Sequence, residues 1–175
     1  MIHSTTGLVH TLAALLAVLT GAIVFLRPKS GPVHRCLGYI YVLSMVTVIV
    51  SSFAIYRLTG RFNFLHGAAI VSAITVSLGF KYALLRKPSG VWQMKHFYWM
   101  SWSFIGLLAA LMAETATRIG MPLVAAKLGR SYLTGFWCMV GLVTFVVVLI
   151  GRHLVAKHTP SAAPRTSGSQ SREAV

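Results

Sequence analysis

Five stretches of the chain stay apolar for about twenty residues at a time, and polar or helix-breaking residues close each of them at both ends. They cover roughly 6–26, 36–56, 64–85, 96–117 and 133–150. A bilayer core of about 30 Å asks for helices of this length, so the pattern predicts five transmembrane helices. The connectors are rich in Pro, Gly and basic residues: Arg27-Pro28-Lys29-Ser30-Gly31-Pro32, Arg57-Leu58-Thr59-Gly60-Arg61 and Arg86-Lys87-Pro88-Ser89-Gly90, then a less polar link over 119–132 with Pro122 and Gly129. Short links join antiparallel neighbours. The expected fold is therefore an all-α integral membrane protein, an up-down four-helix transmembrane bundle with a fifth transmembrane helix.

Residues 1–156 form the expected membrane domain. From about Lys157 the apolar pattern stops, and a tail with Pro160, Pro164, Arg165 and a Ser-rich close has too little apolar surface to offset the entropy of ordering, so 157–175 is expected to be a disordered cytoplasmic tail. The first span has no basic segment before it and no small-residue cleavage pattern after it, which reads as a retained helix and not a signal peptide.

Composition sharpens this. The chain is 56% hydrophobic and 10% charged, with two acids, Glu114 and Glu173, far too little polar surface to clothe a soluble globule of 175 residues. Lipid is the expected surrounding partner. The net charge of +14 raises the question of nucleic acid, but the basic residues sit at helix ends where anionic headgroups attract them, and no nucleic-acid motif is present. Their distribution is lopsided. Connector one, connector three and the tail with their flanks hold eleven of the sixteen Lys and Arg, against five on the other side. Because cytoplasmic loops carry the excess, the N-terminus is expected outside and the C-terminus in the cytoplasm. Cys36 and Cys138 then fall a bilayer apart, too far for a disulfide, and read as small buried apolar residues.

The histidines carry the candidate chemistry. His10, His34, His66 and His96 fall one on each of the first four helices, at alternating depth: His10 and His66 near the outer ends of helices one and three, His34 and His96 where helices two and four open on the inner side. Each level holds two. In an up-down bundle with neighbours about 8–10 Å apart, helices one and three, like two and four, face each other diagonally across roughly 13–14 Å. That gap suits a haem held edge-on between two imidazoles. One b-type haem between His10 and His66 and another between His34 and His96 would be separated by roughly 20–25 Å along the membrane normal. Gly7 and Ala14 beside His10, and Gly31 and Gly38 beside His34, share the histidine faces and leave room for a macrocycle. Phe97, Trp99, Trp102, Tyr39 and Tyr41 would line it, and Arg35, Lys95, Arg57 or Arg61 would meet its propionates. Ordinary membrane helix packing, interfacial aromatic belts and flanking charges also explain these companions, and a single histidine at a helix end is commonly interfacial. Zinc or copper is the competing metal, though two imidazoles alone leave it undercoordinated, with Glu114 the one acid near either level.

Glu114 is the one acid inside a span. It lies about 27 Å along helix four from His96 and four residues before Arg118, so an ion pair on one helical face is the structural reading, and a proton-handling group beside an outer quinol or reductant site the functional one.

The run His34-Arg35-Cys36-Leu37-Gly38-Tyr39-Ile40-Tyr41, the later His66, and Lys95-His96-Phe97-Tyr98-Trp99-Met100 followed by Glu114 and Arg118 resemble a family of bacterial membrane proteins classed as a domain of unknown function. The likeness spans about Gly7 to Arg118. The family's His-Arg-x-x-Gly and His-x-x-x-Met patterns both stand intact, while the lysine-glycine before the first is present only loosely, as Lys29-Ser30-Gly31. This resemblance implies no established activity. More distantly, the alternate-end histidine layout is similar to transmembrane di-haem b-type cytochromes, including ascorbate-dependent ones and partners of hydrogenase or formate dehydrogenase, an analogy of architecture.

Two function classes stay open. One is a haem-bearing electron carrier, part of a membrane oxidoreductase, drawing on a quinol or a small soluble reductant, alone, as a homo-oligomer or with a redox partner subunit. The other is a cofactor-free assembly factor or small transporter-like subunit. No hydrolase nucleophile, phosphate-binding loop or Rossmann fingerprint is present.

Overall fold

A computed structural model describes residues 5–54, 64–116 and 132–158. They form five helices: α1 (Thr5–Leu26), α2 (Gly31–Phe53), α3 (Phe64–Leu85), α4 (Trp92–Thr115) and α5 (Tyr132–His158). All five contain a stretch long and apolar enough to cross a membrane, and no strand occurs among the described residues.

The spans are where the hydrophobic pattern puts them, with three shifted ends. α2 starts at Gly31, not at 36, because Pro32 sits in its first turn, where a missing N–H costs nothing and the fixed φ already suits a helix. A proline that looked like a break is a start. α4 likewise begins four residues early, at Trp92, so His34 and His96 each lie about one turn inside their helices. α5 continues past Ile150 to His158, carrying Arg152, His153 and Lys157 on a final amphipathic stretch. α3 stops at Leu85, and Arg86 after it takes a left-handed φ of 51°. The tail was expected from 157, but 157 and 158 close α5; its remainder, 159–175, lies outside the described residues, as do Arg57, Arg61 and Arg118.

α1 packs along α2 and α3 along α4, as their short links require; α2 meets α3, α1 touches α4 and closes the ring, and α5 leans on α4. Among the described residues α1 and α3 share no backbone contact, nor do α2 and α4. The two pairs are the diagonals of a four-helix bundle. We call the end where α1 runs into α2 and α3 into α4 the basal end, and the other the distal end.

The bundle turns the usual distribution of side chains inside out. Leu12, Leu19 and Leu26 follow one another every seven residues on the outer face of α1, and Leu43 and Val50 do so on α2, all exposed as a lipid-facing surface should be. Inside, Ala17, Tyr41, Met45, Val76 and Leu107 make an apolar centre, but His10, Thr20, Ser44, Ser51, His66, Thr75, Ser101 and Ser103 are buried with it. Without a hydrophobic driving force between helices in lipid, close backbone approach and interhelical hydrogen bonds must hold them together. Glycine supplies the approach. A Cβ on Gly21 of α1 would fall 2.5 Å from the Phe104 ring, one on Gly79 of α3 2.6 Å from Met100 Sδ, and one on Gly151 of α5 2.6 Å from Ile105. Three helices thus dock on α4 through a glycine. Cys36 and Cys138 are both free and exposed, not buried as expected; on a surface that faces lipid an apolar thiol is as well placed outside as in.

Candidate functional site

The basal end contains a cavity of about 1030 Å³ bounded by the ends of four helices, at the top of the range of roughly 300–1,000 Å³ common for small-molecule sites. Gly21, Val24 and Phe25 come from α1, residues from Gly31 to Val42 from α2, Phe80, Ala83 and Leu84 from α3, and residues from Trp92 to Ser101 from α4. Both His34 and His96 line it. This is the histidine pair expected at the inner level, and the fold brings it together across the α2/α4 diagonal.

The ring centroids of His34 and His96 are 6.3 Å apart and their planes cross at 86°. Two metal–nitrogen bonds of about 2 Å, with about 1.1 Å from each coordinating nitrogen to its ring centre, put the centroids of two axial imidazoles about 6 Å apart. The spacing therefore fits one metal ion between the two rings. His96 Nδ1 donates to the Gly79 carbonyl at 2.8 Å. A carbonyl can only accept, so the proton sits on Nδ1 and the neutral ring keeps its lone pair on Nε2, the state in which a ligating histidine is held by an outer partner. The hydrogen bond exists because Gly79 has no Cβ and lets α4 approach; its absent side chain would collide with Met100. On the opposite wall His34 Nδ1 is buried and has no hydrogen-bond partner. A Cβ built on Gly31 or Gly38 meets nothing within 4 Å, so the space beside His34 is open.

The remaining lining is mostly apolar. Tyr41 is buried with its hydroxyl 2.9 Å from Ser103 Oγ, Tyr39 sets its edge on Phe80, and Phe97 lies under Lys29, whose Nζ is 4.9 Å from the ring centre. Trp99 and Trp102, expected at the site, pack instead on Tyr98. Of the cations expected there, Arg35 lines the cavity while Lys95 rests over Tyr82. Lys29 and Arg86 line it too, and neither was singled out from the sequence, although both lie at helix ends on the level of His34 and His96. The Gly79 carbonyl gave no sequence signal at all, because any residue carries one.

The distal level is organised differently. His10 Nδ1 is 2.9 Å from Ser51 Oγ. That hydroxyl donates to the Thr47 carbonyl at 2.6 Å, so it accepts from His10, whose other nitrogen stands 3.7 Å from Glu114 Oε2. Three helices meet in this contact. His66 is buried at 2% exposure beside Phe53, their ring centres 6.0 Å apart. Glu114 was expected to pair with Arg118, which lies outside the described residues; its approach to His10 was legible only as a shared depth. Among the described residues no group of three or more His, Cys, Asp or Glu is placed to hold a metal ion, so a zinc or copper site built from those residue types finds no support.

No curated protein and no solved structure matches the chain. The family described as "predicted membrane protein (DUF2306)" matches residues 7–158, nearly the whole of the five-helix domain, and the protein belongs to that family of membrane proteins of unknown function.

Proposed function

We propose that this protein is a b-type haem-binding membrane protein that carries electrons across or within the bacterial inner membrane, with a haem held between His34 of α2 and His96 of α4. The observation that supports this is the imidazole pair, 6.3 Å between centroids, lining a cavity large enough for a macrocycle. A haem bound there supplies one-electron redox chemistry. The chain supplies the rest. The Gly79 carbonyl holds His96 in the tautomer that offers Nε2, Gly31 and Gly38 leave space beside His34, and Phe25, Phe80 and Phe97 make the wall apolar. The electron donor in this reading is a quinol or a small soluble reductant, the basal end faces the cytoplasm, and the protein serves as part of a membrane oxidoreductase.

The reading extends to a second haem between His10 and His66. Both nitrogens of His10 are turned to Ser51 and Glu114, so the basal pair carries the proposal by itself.

The test is an absorbance spectrum of purified, haem-supplied protein, oxidised and then reduced with dithionite. A Soret band that sharpens on reduction is expected. His34→Ala or His96→Ala should abolish the low-spin basal signal, because one axial ligand remains, while His10→Ala and His66→Ala leave it. A wild-type protein without a Soret band would overturn the reading and leave a cofactor-free assembly factor or small transporter-like subunit in its place.

A further inference from the structure

Lys29, Arg35 and Arg86 all line the basal cavity, from the α1–α2 turn, the second turn of α2 and the residue that follows α3. Two of them are held by rings of the cavity wall: Lys29 Nζ is 4.9 Å from the centre of Phe97, and Arg86 Cζ 6.0 Å from that of Trp92. Such cation–ring contacts keep the charges over the opening, where a basic residue that only met headgroups would extend into the interface. Among the described residues nothing of opposite sign accompanies them. Among the described residues the one carboxylate is Glu114, near the far end of α4 and about 30 Å along that helix from Trp92.

The deep end of the cavity has the opposite character. It runs roughly 15 Å along α2, from Gly31 to Val42, and closes on Ser101, which is 1% exposed and whose buried hydroxyl has no hydrogen-bond partner. Buried hydroxyls are rarely left so. An apolar shaft with an unmatched hydroxyl at its floor and three unmatched cations at its rim is shaped for a guest with a direction.

We infer that the basal cavity takes an amphiphile inserted with its carboxylates outward, the acid groups held by Lys29, Arg35 and Arg86 and the apolar body reaching toward Ser101. The inference rests on the reading of this cavity as a cofactor site and adds the charge and polarity of what enters it. A porphyrin diacid and a long-chain fatty acid from the membrane share this chemistry, and the two are separable.

Full-length protein in detergent is titrated with iron protoporphyrin IX and with its dimethyl ester, read from the Soret band. In parallel it is titrated with a brominated fatty acid and with the methyl ester of that acid, read from tryptophan quenching, with Trp92→Phe isolating the share of the cavity. The acid of at least one pair should bind about tenfold or more tightly than its ester. Protein carrying Lys29→Gln, Arg35→Gln and Arg86→Gln together should lose that preference with its helical circular dichroism unchanged. Preference for the porphyrin diacid identifies the macrocycle. Preference for the fatty acid with no porphyrin binding removes the haem reading and leaves the anion site standing. The comparison on wild-type protein needs no variant, so it decides even where the triple substitution fails to fold. Equal binding of acid and ester in both pairs, a preference that survives the triple substitution in folded protein, or failure of all four probes to bind would overturn the inference.

Discussion

His10 shows how one residue's hydrogen bonds set what its other atoms can do. Ser51 donates its hydroxyl to the Thr47 carbonyl, so it can only accept from His10 Nδ1, and Nε2 is left facing Glu114 across 3.7 Å. That distance is too long for a hydrogen bond, and it becomes an ion pair only when Nε2 carries a proton as well as Nδ1. The cluster ties α1, α2 and α4 together at the distal end, and its expected role is to stabilise the bundle. Ser51→Ala strips a buried nitrogen of its partner and should cost about 1–2 kcal/mol, read as a melting temperature lower by a few degrees. Glu114→Gln should also lower the melting temperature while keeping the basal pigment, since the carboxylate is remote from His34 and His96. Complete loss of pigment in Glu114→Gln would mean that Glu114 acts on the cofactor and not on the bundle. None of this cluster could be paired from the sequence, because helical spacing relates neighbours on one helix and these partners come from three.

At the level of elements, what was legible and what was not divides along the same line. The five spans, the short antiparallel links and the α2/α4 diagonal follow from hydrophobic length and connector length, both local properties, and the structure has them. The helix starts at Gly31 and Trp92 do not, because Pro32 and Gly90 read locally as breaks, whereas one is a first-turn residue and the other precedes the turn. The glycines divide in a way that sequence cannot resolve. Gly21 is filled from across the interface by Phe104, whereas Gly38, equally small and also mid-helix, faces open space. Substituting them should therefore separate packing from binding. Gly21→Val drives a branched side chain into an aromatic ring and should destabilise the α1–α4 contact by about 1–3 kcal/mol, and because Gly21 also borders the cavity, pigment and stability should fall together. The Cβ of Gly38→Leu meets no atom within 4 Å, and the substitution should leave the melting temperature of the cofactor-free protein within about 1 °C of wild type, since substitutions away from packed contacts move stability by less than ~0.5 kcal/mol. It should at the same time reduce haem uptake severalfold by filling the slot beside His34. If both substitutions changed uptake and stability in the same proportion, the slot would be a packing defect and not a binding surface.

Across the whole molecule, charge and site are arranged along one axis. The basal end gathers Lys29, Arg35, Arg86 and Lys95, and α5 finishes with Arg152 and Lys157 exposed. A membrane potential that is negative inside and an anionic cytoplasmic leaflet both favour the end with the excess of Lys and Arg on the cytoplasmic side. By connector, the sequence assigns eleven of the sixteen to that side and five to the other. A reporter fused after His158 should accordingly be active in the cytoplasm, and one fused ahead of Thr5 outside; the reverse result would reject the orientation and put the cavity mouth toward the exterior. The same count bears on the anion site. Replacing Lys29, Arg35 and Arg86 with glutamine leaves eight against five, an excess of the same sign, so the triple variant should insert the same way round as the wild type and report the same fusion activities. Its loss of acid preference would then be a property of the cavity rim, because the bundle around the rim would still stand in the membrane in its original sense. A triple variant that inverted would show that these three residues also determine topology, while the acid-against-ester comparison in detergent would still decide the anion site.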